Sequence, residues 1–573
     1  MPSETRFPED LAEFEEIARQ PDQTLIRVRQ GSLDASAHVT VQVITADRPF
    51  IVETILQIAN SLGFLNRGLS HPRPWVTRNE KGLITAFGKN AEKASRESWV
   101  RLDLLSPLGV PTDETLPGLE RKLKLALDDL TIVSNDVEQM RENIRQVAES
   151  AQQETTRQML IWLSDPSHFL PVGSQTYRIT DIGAFWPRSN GLGILNDVVR
   201  ATRRFHASLL PGEDPEELIV TKDSERSRIR RGGYLDYFGV RIFSQGKVIG
   251  EHRFLGLLTS TAYSESIFNV PLLAQKSNKM MEELKYDPES FAGRSLLAAM
   301  ETFPREELLR ATPKELYPIL AQVGQPEERR ELRMFLRRGR WGRMLTAVIY
   351  FPRDRYNTTV REKMIEVLKA ATGAKEVEWS LLVSESVLAR VYISLRVEEG
   401  RQLPHVDPTR LENSIKHATR SWSDRFAEIA ERFPSSARGI DFSDAYKEAY
   451  TPLEAVTDLA EFNKIQNSDD LGLLIYQPIP PQNGVDFRLK IFRVGAEMKL
   501  SELVPELVGF GVDIVDEFPF KVKLRGKPAV VYDFGLSLPA GVSRIEEWPY
   551  GDRQKFMSAL EASFRFENVT GGQ

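Results

Sequence analysis

One pattern recurs three times along this chain, and it limits the folds available more than any other feature. A strand-like run is followed by a polar joint, an amphipathic helix and two further strands. In the first instance His38 to Thr45 reads as a strand, Asp47-Arg48-Pro49 forms the joint, and Ile51, Ile55, Ile58, Ala59 and Leu62 recur at helical spacing until Gly63. Pro49 suits the first turn of that helix, where its missing N–H would have had no partner, and Asp47 stands where a cap is expected. LNRGLSHPRPWVTR and KGLITAFG follow, separated by the turn-like cluster Asn79 to Gly82, and ESWVRLDLL closes the unit as a strand.

Residues 343–397 repeat the plan. RMLTAVIYFP is a strand, RDRYNT the joint, VREKMIEVLKAA a helix ending at Gly373, and KEVEWSLLVS and LARVYISLRV two strands. The third copy runs from DFRLKIFRVG through the helix LSELVPELVGF, entered over Ser501 to Pro505, to VDIVDEFPFKVKL and PAVVYDFGLSL. Helices that return the chain to an antiparallel or mixed sheet define an α+β class of ferredoxin-like βαββ units, with helices on one sheet face. The other face or an edge is left for a partner, so pairing within the chain or in a homo-oligomer is expected.

At 573 residues the chain exceeds one core; about four domains are expected at roughly 150 residues each. Leu116 to Leu163 is helical in period, with Leu119, Leu123, Leu127, Leu130, Val133, Val137, Met140, Ile144 and Val147 on one stripe, and reads as a connector. Phe169 to Leu258 is rich in strands, including YLDYFGVRIF and KVIGEHRFLGLLTS joined by the hairpin signal Ser244-Gln245-Gly246, and has the pattern of a sensor-type antiparallel sheet. SLLAAMETF, REELLRATPKELYPILAQVG and the periodicity of 407–433 supply further helices.

A formal charge of −6 would repel a polyphosphate, so nucleic acid is not expected as a partner. No apolar run reaches the roughly 18 residues of a membrane helix, and the acidic MPSETRFPEDLAEFEE is unlike a signal peptide; no membrane association and a cytoplasmic location are expected. The absence of cysteine closes disulfide, thiolate and Cys-metal chemistry.

A dinucleotide site needs a strand, a glycine-rich turn and a helix N-terminus in that order. Gly509-Phe510-Gly511 follows a helix and precedes a strand, and Gly191 to Asn196 lacks a third glycine, so both read as turns. There is no GxxxxGK[ST], HExxH or GxSxG. The seven histidines (38, 71, 168, 206, 252, 405, 417) form no i, i+4 pair, and no metal site is expected. In Glu251-His252-Arg253 strand alternation sends the two charged residues to one face and the imidazole to the other. The basic runs RSRIRR (226–231) and FLRRGRWGR (335–343), the latter with Trp341, read as inter-domain or inter-subunit contacts rather than an RNA surface. The joints at Asp47-Arg48 and Arg353-Asp354-Arg355 are where a small anion could sit beside a helix start; the plainer reading is capping and a local ion pair.

EHRFLGLLTSTAY (251–263), METFPREELL (300–309), RMFLRRGRWGRMLTAVIYFPRDRYNTTVR (333–361), LARVYISLRV (388–397) and KLSELVPELVGFGVDIVDEFPFKV (499–522) resemble the large NAD-specific glutamate dehydrogenases of bacteria. ITADRPFIVETI (44–55), SHPRP (70–74) and ESWVRLDL (97–104) are similar to that family's first module. The likeness extends over nearly the whole chain, in the family's order. It implies the N-terminal half of such an enzyme: an ACT-like module at 1–110, a helical connector at 111–165, a PAS-like domain at 166–290 and a helical linker at 291–330. A second ACT-like module with its following helix spans 331–435, a linker 436–470, a third module 471–545, and a tail at 546–573 leads toward a catalytic core not included here. By that resemblance the parent converts L-glutamate, NAD+ and water to 2-oxoglutarate, ammonia and NADH, while this segment holds no cofactor and no catalytic residue. ACT-like modules imply amino-acid or organic-acid effectors or oligomer contacts, with Asp47, Arg48, Arg353 and Arg355 as the effector-binding candidates.

Overall fold

Valines at 39, 41 and 43 fall on one side of a strand because strand side chains alternate, and that side must be covered. In the computed structural model the strand β2 (His38–Ala46) is covered by α1 (Ile51–Ser61), whose Ile51, Ile55, Ile58 and Ala59 are buried against it. The structure describes residues 14–21, 23–30, 38–90, 93–106, 115–179, 185–187, 191–196, 216–323, 331–339, 342–384, 386–398, 401–432, 439–465, 470–477, 485, 487–537 and 549–570. Two compact units divide the chain: the first holds 1–329 with 335–346 and 400–402, the second 330–334, 347–399 and 403–573.

In the first unit, β1 (Leu25–Gln30) pairs with β2, and β2 with β6 (Ser95–Leu105), both antiparallel. β3 (Leu65–Ser70) lies along the second half of β6, and the hairpin of β4 (Trp75–Arg78) and β5 (Ile84–Phe87) meets its start. The long helix α2 (Thr115–Ser150), followed by α3 (Glu154–Ser164), carries the apolar stripe read from the sequence. It does more than connect. Leu119, Leu123, Leu127 and Leu130 sit in one continuous core with Val41 and Val100 of the first sheet and Leu170, Leu235 and Leu255 of the second.

That second sheet is antiparallel, in the order β10 (Leu218–Arg226), β11 (Tyr234–Ser244), β12 (Lys247–Leu258), β7 (Phe169–Ile179), β8 (Phe185–Pro187), with β9 (Leu192–Gly193) also on β7. The expected hairpin at 244–247 is present: Ser244 pairs with Lys247, and Gln245 and Gly246 both have positive φ (48° and 76°), as a two-residue turn matching strand twist requires. Helices α4 (Ser260–Ser264), α5 (Pro271–Leu284), α6 (Phe291–Thr302), α7 (Arg305–Arg310) and α8 (Pro313–Val323) follow.

The third sheet has the order β13 (Arg333–Arg338), β14 (Met344–Pro352), β16 (Leu388–Arg396), β15 (Glu376–Leu382), with α9 (Thr358–Thr372) between β14 and β15. After α10 (Pro408–Ala418) and α11 (Trp422–Glu431) comes the fourth sheet. Its elements are β17 (Ile440–Phe442), α12 (Asp444–Ala449), α13 (Pro452–Phe462), β18 (Gly472–Tyr476), β19 (Phe487–Val494), α14 (Leu500–Gly509), β20 (Asp513–Leu524) and β21 (Lys527–Ser537), ordered β17-β20-β21-β19-β18; α15 (Tyr550–Thr570) is last.

Three of the four sheets therefore share one plan. The strand before the helix is separated from the strand after it by the last strand, giving β2-β6-β3, β14-β16-β15 and β19-β21-β20. Each also has a strand the sequence reading did not anticipate, β1, β13 or β18, on the outer edge of the first. The α+β class is observed, with each βαββ unit extended by this preceding strand.

Two helix entries differ from expectation. α1 begins at Ile51 after Phe50, which is left-handed (φ 69°) and makes no side-chain cap, so neither Asp47 nor Pro49 serves that helix start. α14 begins at Leu500, which puts Pro505 inside the helix rather than at its entry. Gly373 ends α9 as expected, at φ 66°.

Candidate functional site

The joints between first strand and helix are the positions the three modules have in common. At the first, Asp47 is held away from the helix by Ser98, whose hydroxyl donates to its Oδ1 at 2.6 Å, and by Arg96 at 3.4 Å. This explains why it does not cap. His71 Nε2 lies 3.1 Å from the same Ser98 hydroxyl; burial and the charge of Arg73 lower its pKa, against the pull of Asp47 and Glu53. Arg48 Nε donates to Ala46 O at 3.4 Å. The loop 226–233 lies over this joint: the Arg230 guanidinium sits 4.9 Å from the Phe50 ring centre, and its backbone N–H donates to Thr54 Oγ1 at 3.0 Å.

At the second joint Arg353 and Arg355 lie in one 3-10 turn, and the helix is capped by Asn357, which accepts from the Val360 N–H at 2.9 Å. Arg353 donates to Ser384 O at 2.8 Å, and Arg355 is ion-paired with Asp424, the N3 residue of the Ser421 capping box. Asp424 is held below the usual carboxylate range: burial pushes it up, and the bonds from Ser421 and the charge of Arg355 outweigh that. The four candidates thus occupy two separate joints, and each already has an intramolecular contact. At the third joint, where the sequence offered no candidate, the Met498 N–H donates to the Tyr532 hydroxyl at 2.7 Å, which donates to Met498 O at 3.1 Å.

Buried charge lies elsewhere. Glu251 and Arg253 pair at 2.7 Å inside the second sheet, both under 5 % exposed, and Tyr237 donates to Glu251. His252 faces the other way and bonds Thr176 at 2.8 Å, so the alternation read from the sequence holds. Of the run RSRIRR, Arg226 donates to Gly232 O, Arg228 pairs with Asp129 and Arg231 donates to Leu258 O. Arg337 of the second basic run pairs with Glu307; Trp341 lies outside the described residues. In the third module Asp533 accepts from Tyr450, from Tyr476 at 2.7 Å and from Arg488 at 2.9 Å, while Asp458 accepts from Tyr446 and from Lys490 at 2.7 Å. These bonds tie α12 and α13 to the sheet. Contacts across such distances in sequence left no local pattern to find.

A repeated split β-α-β unit whose joints are pinned by polar side chains defines an array of small α+β modules. Family models of glutamate dehydrogenase match in order: the ACT1 domain at 11–106, helical motif 1 at 270–329, the ACT2 domain at 333–423 and the ACT3 domain at 470–547. The chain is 27% identical over 547 residues to the NAD-specific glutamate dehydrogenase of Pseudomonas aeruginosa, covering 88% of this chain and 33% of that protein. It is 26% identical over 533 residues to that of Halomonas elongata (87% and 33%), and 26% over 551 residues to that of Mycobacterium tuberculosis (91% and 33%). The chain belongs to the family of large bacterial NAD-specific glutamate dehydrogenases, matching their N-terminal region, and spans about a third of the length of these relatives.

The glycines that the sequence offered as turns have backbone reasons for their places. A Cβ at Gly191 would lie 1.8 Å from Leu195 O and one at Gly193 2.1 Å from Val172 O, so these glycines exist for backbone packing. Gly511 (φ 80°) is the turn between α14 and β20. Among the described residues no cluster of three or more His, Asp or Glu could hold a metal, and no helix is long and apolar enough to cross a membrane.

Proposed function

We propose that this chain is a regulatory and oligomerisation region of an NAD-dependent glutamate dehydrogenase, whose parent oxidises L-glutamate to 2-oxoglutarate and ammonia with NAD+ as acceptor. The region itself is non-catalytic and cytoplasmic. The carrying observation is the common strand order of the three modules within the family-matched spans. An effector shifts a distant active site only through unequal affinity for two states. An amino acid or organic acid at the joints of Asp47, Arg48, Arg353 and Arg355 supplies that difference. Calorimetric titration of this chain with amino acids and dicarboxylates tests the reading: binding weakened by Arg48→Gln or Arg353→Gln supports it, and silence across the panel removes the effector.

The second reading, a structural assembly scaffold without effector, draws on the outer strand β15. Trp379, Leu381 and Leu382 are all more than a third exposed there, as is Val383 just beyond its end, an apolar stretch along a sheet edge. Glutamate-dependent NADH formation by the isolated chain would overturn both readings.

A further inference from the structure

A groove of about 480 Å³ opens beside the second sheet, between the last turns of α2 and the strands β7, β9 and β12. Small-molecule sites ordinarily have this size, about 300–1,000 Å³. One wall is a helical stripe: Gln139, Asn143, Gln146 and Ser150 follow at three- and four-residue spacing and so share a face of α2. The other wall comes from the sheet. Ser174 and Thr176 alternate onto one face of β7, and the register sets Phe254 and His252 of β12 opposite them.

The lining is polar but carries no fixed charge. No Asp, Glu, Lys or Arg contributes to it, in a chain 27% of whose residues are charged. The charges of this part of α2 pair off outside the groove, Arg145 with Glu142 at 3.1 Å and Arg141 with Glu138. A carboxylate or ammonium entering here would give up water and meet no counter-ion, which is costly.

What the groove does offer is unused hydrogen-bonding capacity. Gln139 Nε2 donates to Asn143 Oδ1 at 3.2 Å, which leaves the Gln139 carbonyl oxygen and the Asn143 NH2 without a protein partner among the described residues. Gln146 donates to Glu142 at 3.4 Å and likewise keeps its carbonyl oxygen. Ser174 is only 5 % exposed, yet its hydroxyl makes no hydrogen bond among the described residues. A side-chain hydroxyl buried to that degree ordinarily has a partner. On the same wall Thr176 Oγ1 lies 2.8 Å from His252 Nδ1 and fixes the imidazole.

Acceptor, donor and acceptor thus alternate along the helix and face a hydroxyl on the sheet. Each hydroxyl of a ligand both donates and accepts, so a run of hydroxyls on adjacent carbons matches this array where a single alcohol or amide would use only part of it. We infer that the groove between α2 and the β7–β12 face binds a neutral sugar, its hydroxyls bonded to Gln139, Asn143, Gln146 and Ser174. The site goes beyond the effector reading and does not depend on it. None of its residues belongs to a strand-to-helix joint, and all lie outside the spans that the family models match.

The test is calorimetry with saturation-transfer NMR on the full 573-residue chain, using glucose, galactose, mannose, ribose and maltose beside the matching uronates and amino sugars. At least one neutral sugar is expected to bind, with its charged counterparts at least tenfold weaker. Asn143→Leu and Ser174→Val should each weaken that binding at least tenfold. Gln146 is exposed, so Gln146→Leu keeps the fold and should also weaken it, which decides the matter if Ser174→Val unfolds the sheet by circular dichroism. Silence across the neutral sugars overturns the site, as does equal affinity for the charged ones or wild-type affinity in Asn143→Leu and Gln146→Leu. Arg48→Gln and Arg353→Gln should leave sugar binding unchanged; its loss there would move the ligand to the joints and overturn this groove.

Discussion

Glu97 shows what a single residue contributes. It is fully buried in the first module, yet accepts from Arg19 at 3.0 Å, from Arg78 at 2.7 and 2.8 Å and from the Trp99 indole at 2.9 Å. Burial pushes its carboxyl up, but the bonds from Arg78 and Trp99 and the charges of both arginines prevail, and its pKa is lowered. Stability from this group is therefore full above the unfolded carboxyl value and is lost as pH falls through the lower folded one. Glu97→Gln should cost about 3–5 kcal/mol, since it strands two cations in a buried place, and should flatten the acid limb of the stability profile; chemical denaturation at pH 7 and through the acid range measures both. Lys490→Met, which strands Asp458, should be similarly destabilising. The double variant Asp458→Leu/Lys490→Met should recover most of the loss, as replacing both members of a buried pair often does. Alternation made Glu251 and Arg253 legible as a pair, being two residues apart on one strand. Arg19 and Glu97 are 78 residues apart, and nothing local links them.

Among elements, α2 carries the most. Its stripe was legible because helical period is a local property, but its role was not, since a stripe does not say how many surfaces it covers. Leu123→Ala should cost about 2–5 kcal/mol for a lost buried side chain and its cavity. Hydrogen exchange should rise in both β2–β6 and β7–β12, because one core serves both sheets; a rise confined to one would contradict that. The β11–β12 turn is a backbone case. A Cβ at Gly246 meets nothing within 4 Å, so Gly246→Val should lose about 1–3 kcal/mol through its positive φ alone, read as a shift in thermal unfolding. The first helix entry was misplaced from the sequence because a capping residue is recognised by its neighbours in the chain. Asp47 is instead taken by Ser98, 51 residues later.

For the whole molecule, β15 ends the third sheet with Trp379, Leu381 and Leu382 partly exposed along it. If assembly uses that strip, Trp379→Glu with Leu381→Lys should leave a smaller particle than wild type by light scattering at micromolar concentration, with unchanged circular dichroism; equal particle sizes would exclude β15 as the contact. The order of strands and helices, the βαββ units and the hairpin at 244–247 were determined by the sequence itself, since hydrophobic period and turn chemistry act over a few residues. The added strands β1, β13 and β18, the double duty of α2 and the partners of Asp47 were decided only in the tertiary structure. Strand pairing and charge satisfaction depend on which distant segments meet, and no window of sequence contains that.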